Sequence, residues 1–134
     1  MATHLVTGGN GYVGDYIVKK LTSLGETVYC LDLIESTNVR EGVKYIQGSV
    51  LNKDLIDYLT SKCDFVHHNA ALVPLTKSGL KFQEVNVNGT KNILDFSIKN
   101  KVSHLCHMSS SAVFGIPEEL PLKNSSRRSP VEIY

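Results

Sequence analysis

The chain has 134 residues, 42% of them hydrophobic and 20% charged, enough for one domain to bury roughly two-thirds of the surface it exposes when unfolded. Its 14 Lys and Arg against 13 Asp and Glu leave a formal charge of +1, so no charge excess draws it to nucleic acid or to an anionic bilayer. No apolar run approaches the roughly 18 to 20 residues of a membrane span, and the expectation is a soluble, cytoplasmic protein whose partners are small molecules or other chains.

Residues 1–3 lead straight into an apolar stretch, which leaves no room for a cleavable leader, so the domain is expected to start where the chain starts. Residues 4–7 read as a strand that runs into glycines. Residues 12–24 follow with Val13, Ile17, Leu21 and Leu24 at helical spacing, and Gly25 stands where a left-handed helix terminator is expected. Residues 27–31 are strand formers ending at Asp32, and residues 43–47 alternate as a third strand. Asn52 is placed to cap a short helix carrying Leu55, Ile56 and Leu59, and residues 65–68 read as a fourth strand. Over residues 81–100 the side chains of Phe82, Val85, Gly89, Ile93 and Phe96 share one side of a long helix, and residues 104–109 read as a fifth strand. From Ser110 to Tyr134 the composition turns to Pro, Ser, Glu and Arg, the mark of a long surface loop.

Strands alternating with helices of this length imply parallel βαβ units with right-handed crossovers. The expected fold is therefore α/β, a doubly wound parallel sheet of about five strands in the order 3-2-1-4-5, in a single domain over residues 1–134. Cys30, Cys63 and Cys106 show no CxxC spacing and are odd in number, so reduced thiols are expected, with Cys30 and Cys106 acting as small hydrophobes inside apolar stretches. His67 and His68 are adjacent on a strand and point to opposite faces, and His104 and His107 do the same, so no shared metal site is expected.

Residues 7–14 read TGGNGYVG and set Gly8, Gly11 and Gly14 between a strand and a helix. There glycine lets the backbone turn sharply and approach a pyrophosphate without a Cβ in the way, while free amides and the helix dipole face the phosphates. The bland alternative is a tight turn with no ligand. Asp32 arrives 18 residues after Gly14, where a carboxylate accepts hydrogen bonds from an adenosine ribose and repels the 2′-phosphate of NADP. NAD is accordingly preferred to NADP, although a solvated strand-end acid is the other reading of Asp32. Leu33 and Ile34 supply no cation for a 2′-phosphate, and Arg40 could reach the site only by swinging in from the loop. The candidate contacts of this part are Gly8, Asn10, Gly11, Tyr12, Val13, Gly14, Asp32 and Leu33.

The TGxxGxxG spacing resembles the extended short-chain dehydrogenases/reductases, the NAD-dependent epimerase/dehydratase family, and three further motifs match in order. DFVHHNAA over residues 64–71 resembles the family's fourth-strand segment, VNVNGTKNIL over 85–94 its fourth-helix motif, and HMSSSAVFG over 107–115 the fifth-strand end. The resemblance implies a Rossmann domain with Ala70 and Ala71 against the cofactor, Asn86 supporting the site and Thr90 positioning the loop above it. Helix residues bonding their own backbone are the plainer reading of Asn86 and Thr90. It also implies Ser110 as the catalytic hydroxyl and Tyr134, 24 residues further on, as the acid/base of a YxxxK motif. A strand-end serine and an incidental aromatic are the alternatives for these two.

Two positions depart from the family pattern. Ser49 stands where an acid usually contacts adenine, with Val50 left to make an apolar contact, and Phe114 replaces a tyrosine. The Lys of YxxxK would fall after Tyr134, so the chain is expected to be an N-terminal portion without turnover of its own, with uncovered apolar faces that favour self-association. Arg127 and Arg128 are placed to meet a nucleotide phosphate or simply to be solvated. The implied function is an NAD-dependent epimerase/dehydratase-type oxidoreductase acting on a nucleotide sugar or a similar hydroxyl substrate. A 3β-hydroxysteroid dehydrogenase-like enzyme and a non-catalytic dinucleotide sensor on the same fold are the alternatives.

Overall fold

A computed structural model describes residues 1–73 and 80–131. The strands are β1 (Thr3–Thr7), β2 (Thr27–Asp32), β3 (Val43–Gln47), β4 (Phe65–His68) and β5 (His104–His107). The helices are α1 (Tyr12–Ser23), α2 (Lys53–Thr60) and α3 (Thr90–Lys99), preceded by a π-helical segment over Gln83–Gly89. All four strand pairings are parallel, in the order β3-β2-β1-β4-β5. The order expected from the alternation is the one found.

Alternation of side chains divides the sheet into two unequal faces. Leu5, Leu31 and Val66 point to one side, where Ile56 and Leu59 of α2, Ile93 of α3 and Val50 complete the larger core. Val6, Val28 and Cys30 point to the other and pack on Val18 of α1, with Ile17 and Leu21 at its flanks. The Asn52 side chain accepts from the Leu55 amide and starts α2. Gly25, at φ +79°, ends α1 by donating to the Thr22 carbonyl while Glu26 donates to that of Leu21.

Three local expectations are revised. Helical spacing over 81–100 predicts one α-helix, but residues 83–89 adopt the wider π turn before α3 begins. The glycine inside it is needed for packing, since a Cβ on Gly89 would lie 2.6 Å from Cγ2 of Val50. β5 stops at His107 instead of Ser109 because its partner stops first: the Met108 amide donates to His68, the last residue of β4. Cys106 is exposed instead of packed, because α1 lies against β1 and β2 and does not extend to the β5 edge.

In this strand order the chain leaves β1 toward β2 on one side and crosses to β4 on the other. The carboxyl ends of β1 and β4 therefore diverge into a crevice, the usual place for a ligand in an open α/β sheet.

Candidate functional site

The crevice begins with the turn after β1. Gly8 donates its amide to the Leu31 carbonyl at 2.8 Å, the Gly11 amide returns to the Gly8 carbonyl at 3.1 Å, and α1 opens with Asp15 donating to Gly11 at 2.8 Å. Two of the glycines are demanded by the protein itself. Gly8 has φ +64°, and a Cβ there would meet the Ala70 amide nitrogen at 2.8 Å; a Cβ on Gly14 would lie 2.1 Å from the Gly8 oxygen. Gly11 differs: it is exposed, and its Cβ would meet only the Gly8 oxygen at 3.2 Å. Gly11 is also the N-cap of α1 and provides no side-chain acceptor, so the helix starts uncapped where Gly11 borders the crevice.

Asp32 closes the next side. Its Oδ2 accepts from the Asn10 amide at 3.0 Å and its Oδ1 from the Ile34 amide at 3.2 Å, while the Asn10 side chain donates to the Ile34 carbonyl at 2.6 Å. The acid thus ties the glycine loop to the chain leaving β2. Together they border a cavity of about 410 Å³. Its lining takes in Gly8, Asn10, Gly11, Asp32, Leu33, Ser49, Val50, Ala70 and Ala71 of the expected contacts. Tyr12 and Val13 are exposed on the first turn of α1 outside that lining, and Gly14 is buried beneath the loop.

The wall from β4 is held by a chain of polar groups. Thr90 donates to the Asn86 carbonyl at 2.7 Å, which leaves its oxygen to accept from His68 Nε2 at 2.9 Å. Nδ1 of His68 then accepts from the Thr7 hydroxyl at 2.7 Å, and that oxygen in turn accepts from the amides of Asn69 and Ala70. The chain works only with a neutral imidazole. Burial, with a smaller contribution from His107, pushes His68 down to about 4. Asn86 completes the wall by pairing with the backbone of Leu72, accepting from its amide at 2.7 Å and donating to its carbonyl at 3.0 Å. Both residues bond backbone: Asn86 that of Leu72, which borders the cavity, and Thr90 that of Asn86, which is not in its lining.

Ser49 spends its hydroxyl on the Leu51 amide, and Val50, buried, has its carbonyl held by Asn92 at 3.1 Å. Both still line the cavity. Cys30 lies under the turn, where a Cβ on Gly9 would strike its sulfur at 2.4 Å, and burial beside Asp32 pushes its thiol up to about 11. It is a packing residue.

The segment after β5 is arranged differently. Ser110 caps a 3-10 turn over Ser111–Phe114 by accepting from the Ala112 amide at 3.1 Å, and it is not part of the lining of the cavity bordered by Asp32. Phe114 lies with Glu118, Leu122 and Arg127 around a separate cavity of about 370 Å³. Arg128 is exposed, and Tyr134 lies outside the described residues. His67 and His68 do face opposite sides: His67 pairs with His4 at 3.1 Å while His68 joins the threonines.

Two residues of this site, Thr7 and Asp15, escaped the sequence reading, and His68 and Arg40 were named there without these partners. Thr7 and His68 are brought together only by the β1–β4 register, in which they stand side by side. Asp15 and Arg40 form a bidentate ion pair at 2.6 and 3.0 Å across the cavity rim. The signal available for the first pair was a hydroxyl and an imidazole at the same strand level; for the second, 25 residues apart, there was none.

Residues 4–134 match the model of the NAD-dependent epimerase/dehydratase family. An uncharacterized protein of Sinorhizobium fredii, y4nG, is 36% identical over 98% of this chain and 33% of its own length. A UDP-glucose 4-epimerase of Lactobacillus helveticus is 34% identical over 97% of this chain and 42% of its own. Among solved structures, a short-chain dehydrogenase/reductase superfamily protein from Agrobacterium tumefaciens with bound NAD superposes with a TM-score of 0.90 at 28% identity, covering 98% of this chain and 40% of that one. The chain thus spans well under half the length of these proteins. With the family model matched over nearly all of its length, the chain belongs to the NAD-dependent epimerase/dehydratase family.

Proposed function

We propose that this chain forms the NAD-binding portion of an oxidoreductase of the epimerase/dehydratase type that acts on a nucleotide sugar. The observation that carries the reading is the uncapped start of α1 at Gly11, opening beside Asp32 into one cavity. Bare backbone amides suit a pyrophosphate. Asp32, with both oxygens already oriented by amides, suits the ribose hydroxyls and disfavours a 2′-phosphate, which supports NAD over NADP. Val50, Ala70 and Ala71 offer the apolar contacts, in place of the acid that Ser49 lacks.

NAD, when bound, supplies a hydride acceptor that can return what it takes. This chain's part is to bind and orient it. Ser110, three residues after β5, is assigned a hydrogen bond to the reacting oxygen, and Tyr134 the proton transfer. The substrate class is supported by the UDP-glucose 4-epimerase relative. These 134 residues are assigned cofactor binding, through the cavity that Gly11 and Asp32 border.

Calorimetric titration of the purified chain tests this. NAD is expected to bind and to be weakened at least about tenfold by Asp32→Ala, the size of losing charge-assisted hydrogen bonds. Absence of NAD binding would remove the reading.

A further inference from the structure

We propose that Asp15 sets the dinucleotide preference of this cavity by holding Arg40 away from its adenosine end. The inference rests on the NAD-binding reading above. A 2′-phosphate carries nearly two negative charges and needs a cation beside it. In the loop joining β2 to β3, residues 33–42, Arg40 is the only Lys or Arg. That loop supplies one wall of the cavity through residues 33–38, and Asp15, across the rim, lines the same cavity as Asp32.

The guanidinium is committed elsewhere. Nη1 donates to Oδ1 of Asp15 at 2.6 Å and Nη2 to Oδ2 at 3.0 Å, the fork geometry that makes Arg–carboxylate pairs strong. Asp15 belongs to the first turn of α1, where a carboxylate is favoured by the helix dipole. The loop is pinned from its other side, since the Tyr45 hydroxyl donates to the Asn38 carbonyl at 2.8 Å. Asp32 opposes a 2′-phosphate, but two amides already donate to its oxygens and offset part of its charge. Discrimination against NADP then depends on the nearby cation being engaged. Neutralising Asp15 makes a border that also carries Asp32 and Glu35 one charge less negative, and it frees the cation of the loop at the place where the two dinucleotides differ.

The test compares NAD and NADP affinities by calorimetry in the full 134-residue chain. Asp15→Asn is expected to shift the affinity ratio toward NADP by about tenfold, the worth of one charge-assisted contact. Adding Arg40→Gln to it returns the ratio to within about twofold of the starting value. An unchanged ratio in Asp15→Asn, with NAD still bound, overturns the inference and leaves the NAD reading standing. So does a shift that persists in the double variant, which would reflect lost negative charge alone. If the starting chain binds neither dinucleotide, both fail. Should Asp15→Asn not fold, Arg40→Lys, whose ammonium cannot fork both oxygens, must shift the ratio in the same direction; no shift overturns the proposal.

Discussion

The loop after β1 and the segment after β5 leave the same end of a parallel sheet, yet they are built to different standards. Around residues 8–15 the backbone is packed against Leu31 and Ala70, tied through Asp32 and Asn10, and leaves little room even for a methyl group. After β5 the chain makes one 3-10 turn and, among the described residues, stays largely exposed, with a backbone tie from Ser129 to Val113 crossing it. The difference separates two tasks. The part that would hold a cofactor is fixed by the fold's own hydrogen bonds and packing, as low-cost recognition requires, whereas the part that carries Ser110 has fewer such ties among the described residues.

The sharpest way to break the contrast is a matched pair of glycine substitutions. Gly14→Ala places a methyl 2.1 Å from the Gly8 oxygen in a buried turn, and should cost about 3 kcal/mol or more in urea unfolding. Gly115→Ala meets the Ser129 oxygen at a similar 2.0 Å and carries φ +60°, but in a largely exposed segment, and should cost less, about 1 to 2 kcal/mol. Equal costs would remove the distinction.

Next in size is the polar wall. Thr7→Val leaves His68 Nδ1 and the Ala70 amide without their partner in a buried setting and should cost about 2 kcal/mol. The same wall gives a pH signature. His68 is held neutral in the fold with its value down to about 4, against an ordinary 6.5. Between those values the unfolded chain binds the extra proton, so this stabilisation is complete above pH 6.5 and is lost as pH falls toward 4. Urea midpoints should drop over that window by about 2 kcal/mol in stability, with His4 and His67, also lowered by burial, acting in the same direction. Stability flat from pH 6.5 to 4 would contradict the buried neutral imidazole. The smallest effect belongs to the other region: Ser110→Ala removes only a turn cap and should cost about 0.5 kcal/mol in the same assay.

The cap at Asn52, the terminator at Gly25 and the glycine turn were legible because each depends on neighbours in sequence, and the sheet order because strand–helix alternation with right-handed crossovers leaves few arrangements. The π segment was not, because Phe82, Val85, Gly89 and Ile93 keep a helical rhythm whether or not one turn widens. The exposure of Cys106 was hidden for a related reason: an apolar stretch does not say how far the covering helix reaches. The site divides the same way. Gly8, Gly11 and Asp32 announce themselves by position, while the Thr7–His68–Thr90 chain needs strand register and the Asp15–Arg40 pair needs the path of a loop. No helix of the described residues is long and apolar enough to cross a membrane, in keeping with the absence of an apolar run.

The most direct test of the central claim is to add NAD to ¹⁵N-labelled chain and follow the amide resonances. A preformed cofactor site confined to one region predicts saturable shifts at Gly8, Asn10, Gly11, Ile34, Val50 and Ala70, with residues 116–131 unmoved. Shifts concentrated in 110–131, or none at saturating NAD, would contradict it.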